Sequence, residues 1–266
     1  MQTPPSLPDI RLDGRVAIVT GGTRGIGAAI ARVLLAAGCE VAVCGRTAPE
    51  APPAAAGRVA RFFPCDVRRA EAVAEFVEAV GAAFGRIDFL VNNAGGSPPA
   101  EALTVSPRFH ESILALNLTG PIHMSQAAAR WMIRGESPGA IVNIASVSAT
   151  RPSPGTAVYG AAKAGLLGLT RSLAAEWGPG IRVNAIVVGL VDTEEAALPY
   201  GSEAARAAIA DSLPARRMGH PDDIAAGVLY LLSPLAAYVS GATLEIHGGG
   251  ERPLFLDLVE RHAAPS

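Results

Sequence analysis

The chain has 266 residues, 50% of them hydrophobic and 17% charged, with a mean hydropathy of +0.31. That is too apolar for a disordered chain and long enough to bury a sizeable core. Lys+Arg number 22 against 24 Asp+Glu, a net charge of −2, so no basic excess exists to neutralise a nucleic-acid backbone.

Residues 1–9 are Pro-rich and polar, without the apolar segment of a signal peptide, and Gly, Arg or Asn interrupts every long apolar run, so no membrane span is expected. The first strand is predicted over 15–20 (RVAIVT), ended by Gly21-Gly22. An Ala-rich helix follows over 26–35 and Gly38 closes it as a C-cap. Strands are expected at 40–44, 59–64, 88–91, 140–145, 182–188 and 242–247, and helices at 69–84, 109–134, 158–177 and 222–232. Seven short apolar strands alternating with helices predict an α/β fold: a single doubly wound Rossmann domain with a seven-stranded, mostly parallel sheet covered on both faces. Residues 47–57 carry three prolines and read as a loop where a crossover helix could have stood. The segment 190–218 lies beyond a strand end and is helical in part, the place for a substrate cover in such sheets. Cys39, Cys44 and Cys65 lack CxxC spacing and sit in apolar runs, which reads as small core residues of a reducing, cytoplasmic setting. His220, before Pro221-Asp222-Asp223, reads as a helix start, and the five histidines show no ligand spacing, so no metal is expected.

Residues 20–27 (TGGTRGIG) join the first strand to the first helix. Their glycines at 21, 25 and 27 are spaced GxxxGxG, not GxGxxG, but the physics is shared: bare backbone turns tightly and approaches a pyrophosphate at a helix N-terminus. The second strand ends Cys44-Gly45-Arg46, without the acid that would receive a ribose 2′-hydroxyl. Arg46 can fork onto a 2′-phosphate, and Arg24 adds a second cation, so NADP(H) is expected over NAD(H).

Lys163 is the only lysine among 22 cations and lies four residues after Tyr159. On a helix these positions share a face, and a neighbouring ammonium is expected to lower the phenol pKa and ease proton exchange. With the 20–27 loop, Asn92-Asn93-Ala94-Gly95 and Tyr159-Gly160-Ala161-Ala162-Lys163, the chain resembles the short-chain dehydrogenase/reductase family from about residue 12 to 249. Ser146, 13 residues before the tyrosine, and Asn117, in Asn117-Leu118-Thr119-Gly120, match that family's pattern too.

The resemblance implies a hydride exchange between nicotinamide and a ketone or secondary alcohol. Tyr159 would be the general acid or base, Ser146 would stabilise the substrate oxygen, and Lys163 would hold the ribose and tune Tyr159. Asn117 would support a proton-relay water. Cofactor contacts would come from Gly21, Thr23, Arg24, Gly25, Ile26, Gly27, Arg46, Asp66, Val67, Asn93, Ala94, Gly95, Tyr159, Lys163, Val191 and Thr193, with Asp66 and Val67 at the adenine. The family's Pro-Gly after the sixth strand is Val188-Gly189 here, which alters the start of the substrate loop. Ala196, Ala197 and Leu198 favour a 3-oxoacyl thioester or a hydrophobic cyclic ketone as substrate. An NAD-dependent hydroxysteroid or alcohol dehydrogenase, and a non-catalytic cofactor-binding protein, stand as alternatives. A homotetramer is expected, with helices 109–134 and 158–177 paired across one interface. The extension 251–266 predicts a short helix opened by Pro253, whose apolar Leu254, Phe255, Leu258 and Val259 dock at a subunit interface near an active-site mouth.

Overall fold

The computed structural model describes residues 10–135, 138–194 and 200–262. Strands β1 (Val16–Thr20), β2 (Glu40–Gly45), β5 (Arg61–Pro64), β6 (Phe89–Asn92), β7 (Gly139–Ile144), β8 (Ile181–Val188) and β9 (Thr243–Ile246) form one sheet in the order β5-β2-β1-β6-β7-β8-β9. Every pairing in it is parallel. The strands read as continuous apolar runs because both faces are covered. Ala17 and Val19 point into one core with Ile30 and Leu34 of α1 (Gly25–Ala36) and Ile224 and Val228 of α7 (Pro221–Leu232). Val16 and Ile18 point into the other, with Phe76 of α2 (Ala70–Phe84) and Met124 of α4 (Gly120–Arg134). α5 (Ala157–Trp177) packs on this second face, along β8. The order of strands reverses between β1 and β6, so the crevice at their carboxyl ends is the topological switch point where such sheets take ligands.

Several expected elements are altered. The 59–64 strand is split. Arg58–Val59 (β4) turns back on Ala54–Ala55 (β3), at the end of the proline-rich 47–57 segment, as a two-stranded antiparallel hairpin, and only β5 joins the main sheet. The single helix expected over 109–134 begins at α3 (Pro107–Leu114), where the Ser106 hydroxyl accepts from the Phe109 amide, and is interrupted by a π turn over Ala115–Thr119 before α4. His220 does cap α7: its ring accepts from the Asp222 amide, while Asp223 accepts from the His220 amide at 2.7 Å. Gly38 ends α1 in the left-handed region, with its amide on the Leu35 carbonyl. Cys39, Cys44 and Cys65 are buried in the two cores.

The 190–218 segment contains α6 (Glu203–Ser212), none of whose residues is buried. Ala196, Ala197 and Leu198 lie outside the described residues, as do residues 263–266 of the tail. The tail does form α8 (Leu254–Arg261), but Leu254 and Phe255 are 67% and 63% exposed, so its apolar stripe has no seat among the described residues. Among the described residues no helix is long and apolar enough to cross a membrane.

Candidate active site

The loop after β1 gets its shape from close backbone packing. Gly21 and Gly25 take left-handed conformations, and a Cβ on Gly27 would stand 2.3 Å from the Gly21 carbonyl oxygen. Only glycine fits there. The loop after β6 is stitched to it. Thr20 Oγ1 accepts the amides of Asn93 and Ala94, each at 2.9 Å, and Asn93 Nδ2 donates to the carbonyl of Thr20 at 2.9 Å and of Gly21 at 3.2 Å. These two loops floor a cleft of about 960 Å³ that runs along the carboxyl ends of the strands.

One end of the cleft lies where β2 and β5 finish. Thr23, Arg24, Gly45 and Arg46 line one side of it, and Asp66, Val67 and Arg68 the other. Arg68 grips the Asp66 carboxylate and holds its pKa below the usual carboxylate range, with Arg46 adding a smaller pull. Asn93, Ala94 and Gly95 line the middle, followed by Val191 and Thr193 at the entrance to the 190–218 segment.

The far end gathers Ser146, Tyr159 and Lys163. Ser146 ends the β7 run and caps a 3₁₀ turn, its hydroxyl accepting from the Ser148 amide at 3.2 Å. Tyr159 and Lys163 stand on the first turns of α5, one helical turn apart. Ser146 stands beside the phenol and pulls its pKa downward. Lys163 is 3% exposed, donates to the Ile144 carbonyl at 2.7 Å, and lies 5.6 Å from the Tyr159 ring centre. Burial drives its pKa down to about 8.

The electrostatics depart from expectation in one respect. Tyr159 is raised above 10, not lowered: burial outweighs the pull of Ser146, and the nearby Tyr200 phenol pushes the same way as burial. Lys163 spends its hydrogen bond on the strand carbonyl instead of on the phenol.

Asn117 sits at the π turn and is fully buried, so it does not line the cleft. Its Nδ2 donates to the carbonyls of Ile113 and Gly96, at 3.0 and 2.9 Å, and its Oδ1 accepts the Gly96 amide at 2.9 Å. The π turn surrounds Asn117, whose side chain reaches back one turn to the Ile113 carbonyl, and π turns recur at functional positions. Here Asn117 holds the 93–96 loop. A Cβ on Gly95 would lie 2.8 Å from Asn117 Oδ1 and 3.0 Å from Lys163 Nζ, so this position too admits only glycine.

Sequence reasoning passed over two cleft residues. Tyr200 lines the far end, where the Val191 backbone pulls its pKa down against the larger effect of burial, and Arg68 lines the opposite end. Arg68 directly follows the Asp66-Val67 pair, a signal available in the sequence, whereas nothing local points from Tyr200 to Val191.

Comparison with known proteins follows the same lines. A family model described as Enoyl-(Acyl carrier protein) reductase matches residues 21–251. D-threitol dehydrogenase of Mycolicibacterium smegmatis is 43% identical over 91% of this chain and 94% of its own. The 3-oxoacyl-[acyl-carrier-protein] reductase of Aquifex aeolicus is 37% identical, over 91% of this chain and 99% of its own. A solved short-chain dehydrogenase/reductase of Serratia marcescens superposes with a TM-score of 0.79 at 34% identity, covering 90% of this chain and 98% of that one.

Proposed function

The chain belongs to the short-chain dehydrogenase/reductase family of oxidoreductases, and from that premise we propose that it is an NADPH-dependent enzyme interconverting a ketone and a secondary alcohol. The observation that carries this reading is the convergence of Ser146, Tyr159 and Lys163 at one end of a cleft whose floor is a glycine turn without room for side chains. The cleft suits the cofactor: bare backbone at Gly21 and Gly27 for the pyrophosphate, Arg46 and Arg24 for a 2′-phosphate, Asp66 and Val67 for the adenine. Asn93, Ala94, Gly95, Val191 and Thr193 would flank the remainder, with Thr23, Gly25 and Ile26 beside the phosphates. When bound, the nicotinamide supplies or accepts the hydride.

The chain's own residues handle the proton. A phenol raised by burial is protonated at neutral pH and serves as general acid toward the carbonyl oxygen. Ser146 donates to the same oxygen as its charge grows. Lys163, locked to Ile144, presents a buried ammonium that favours phenolate once Tyr159 has given up its proton. It also holds the ribose in this reading. Asn117 acts here through the 93–96 loop, which it fixes, alongside the relay water assigned to it above.

A 3-oxoacyl thioester, the substrate named for the Aquifex relative, is the substrate class favoured here. The second reading, oxidation of a polyol, is favoured by the 43% identity to D-threitol dehydrogenase. The described fold is read as one domain that assembles as a cytoplasmic homotetramer through α4 and α5; Ile122 and Ile133 of α4 are exposed in the lone chain. Turnover with acetoacetyl thioester and with threitol, each against both cofactors, tests the assignment. Faster ketone reduction with NADPH supports it; turnover of neither substrate with either cofactor overturns it.

A further inference from the structure

Arg68 makes more bonds to one carboxylate than a solvated arginine needs. Its backbone amide donates to Asp66 Oδ1 at 3.1 Å. Its Nε donates to Oδ1 at 2.9 Å and lies 3.1 Å from Oδ2, and a terminal nitrogen donates to Oδ2 at 2.5 Å. The other terminal nitrogen stands 3.5 Å from Ser112 Oγ, on α3, across the end of the cleft. An ionised carboxylate offers about four acceptor positions. Three N–H groups of Arg68 reach them, the Nε hydrogen being shared between the two oxygens; counting that hydrogen once, on its shorter bond to Oδ1, leaves one Oδ2 position for a donor in the cleft.

We propose that Arg68 is the positioning residue for purine recognition. By forking onto Asp66 it fixes the carboxylate plane and keeps one oriented acceptor, which matches a base carrying an exocyclic amine and repels one carrying a carbonyl oxygen. This rests on the reading that the cleft takes a dinucleotide with its adenine beside Asp66. The arrangement also separates the work of two cleft arginines: Arg46 answers to a 2′-phosphate, whereas Arg68 answers to the base and so acts on both nicotinamide cofactors alike.

Fluorescence or calorimetric titration of the intact protein tests this with four ligands: NADPH, NADH, the hypoxanthine analogue of NADPH, and nicotinamide mononucleotide. The unaltered protein is expected to bind NADPH about tenfold more tightly than the hypoxanthine analogue, the size of one charge-assisted hydrogen bond. Arg68→Ala should weaken NADPH and NADH by the same factor, about five- to tenfold, bring the adenine-to-hypoxanthine ratio close to one, and leave nicotinamide mononucleotide untouched. A structural lesion would weaken every ligand, and a purely phosphate-directed arginine would spare NADH; either pattern overturns the proposal. So does an unchanged adenine-to-hypoxanthine ratio in Arg68→Ala. If the unaltered protein binds neither dinucleotide, the cofactor reading itself fails, which is a different result from an unchanged ratio.

Discussion

The two ends of the cleft are built differently. Where β1, β2 and β6 end, the wall is backbone: the two loops are joined through Thr20 and Asn93, and the strands behind them are buried on both faces. Beyond the far end the chain is loosely held: Tyr200 reaches the cleft, but α6 has no buried residue and α8 carries an exposed apolar stripe. In this reading the chemistry common to many substrates sits on the strand ends and on α5, which packs along the sheet, and whatever distinguishes one substrate from another sits on elements that the sheet does not constrain. Mutations should divide the same way, with large losses on the first side and modest shifts on the second.

The largest effect after that at Tyr159 itself is expected at Lys163. Lys163→Met should lower turnover by at least about a hundredfold, within the usual range for disabling acid–base machinery. Stability should move the opposite way. The folded lysine titrates near 8 against an ordinary 10.5, so below pH 8 the fold carries a buried-charge penalty of about 3 kcal/mol, which fades as pH rises toward 10.5 because the unfolded chain then binds more protons than the folded one. Losing the bond to Ile144 returns roughly 1–3 kcal/mol of that. The variant should therefore melt at or above the wild-type Tm at pH 7, with its relative advantage shrinking toward pH 10. A clear drop in Tm at pH 7 would show that the ammonium stabilises the fold.

Next in size is cofactor choice. Gly45→Asp with Arg46→Ala should cost NADPH about ten- to a hundredfold in Kd, the loss of one charge-assisted phosphate contact, while NADH changes little or gains. Equal Kd values for the two cofactors in the unaltered protein would remove Arg46 from this role.

The smallest effect belongs to the tail. Glu251 pairs with Arg151, on the segment that follows Ser146, which anchors the start of the extension near the substrate end. Deleting residues after Gly250 should change KM a few-fold, or the oligomeric mass, and leave NADPH affinity intact. A truncated enzyme that matches the full chain in mass and KM would make α8 an appendage.

The same division governs what the sequence discloses. Strand and helix positions were legible because burial on both sheet faces writes continuous apolar runs, and the glycine turn was legible because Gly27 has no room for a Cβ. The lone lysine beside Tyr159 marked the far end of the cleft. The π turn was not legible, since a single widened turn inside a long helical run is too short to stand out from the apolar period. Nor was the direction of the Tyr159 shift: spacing places a cation nearby, but only the fold shows that Lys163 bonds Ile144 and that burial dominates the phenol. The β3–β4 hairpin was hidden because a two-residue strand has no period to read.

The central claim is that Tyr159 supplies the proton to the substrate oxygen from a cofactor-bearing cleft whose floor is built by the loops after β1 and β6. Measuring NADPH Kd and the kcat of ketone reduction for the unaltered enzyme and Tyr159→Phe tests it directly. The expected result is a Kd within about twofold and a kcat reduced by roughly a thousandfold, the middle to upper part of what general acid catalysis contributes. A Tyr159→Phe enzyme that binds NADPH normally and turns over within tenfold of the unaltered protein would contradict it.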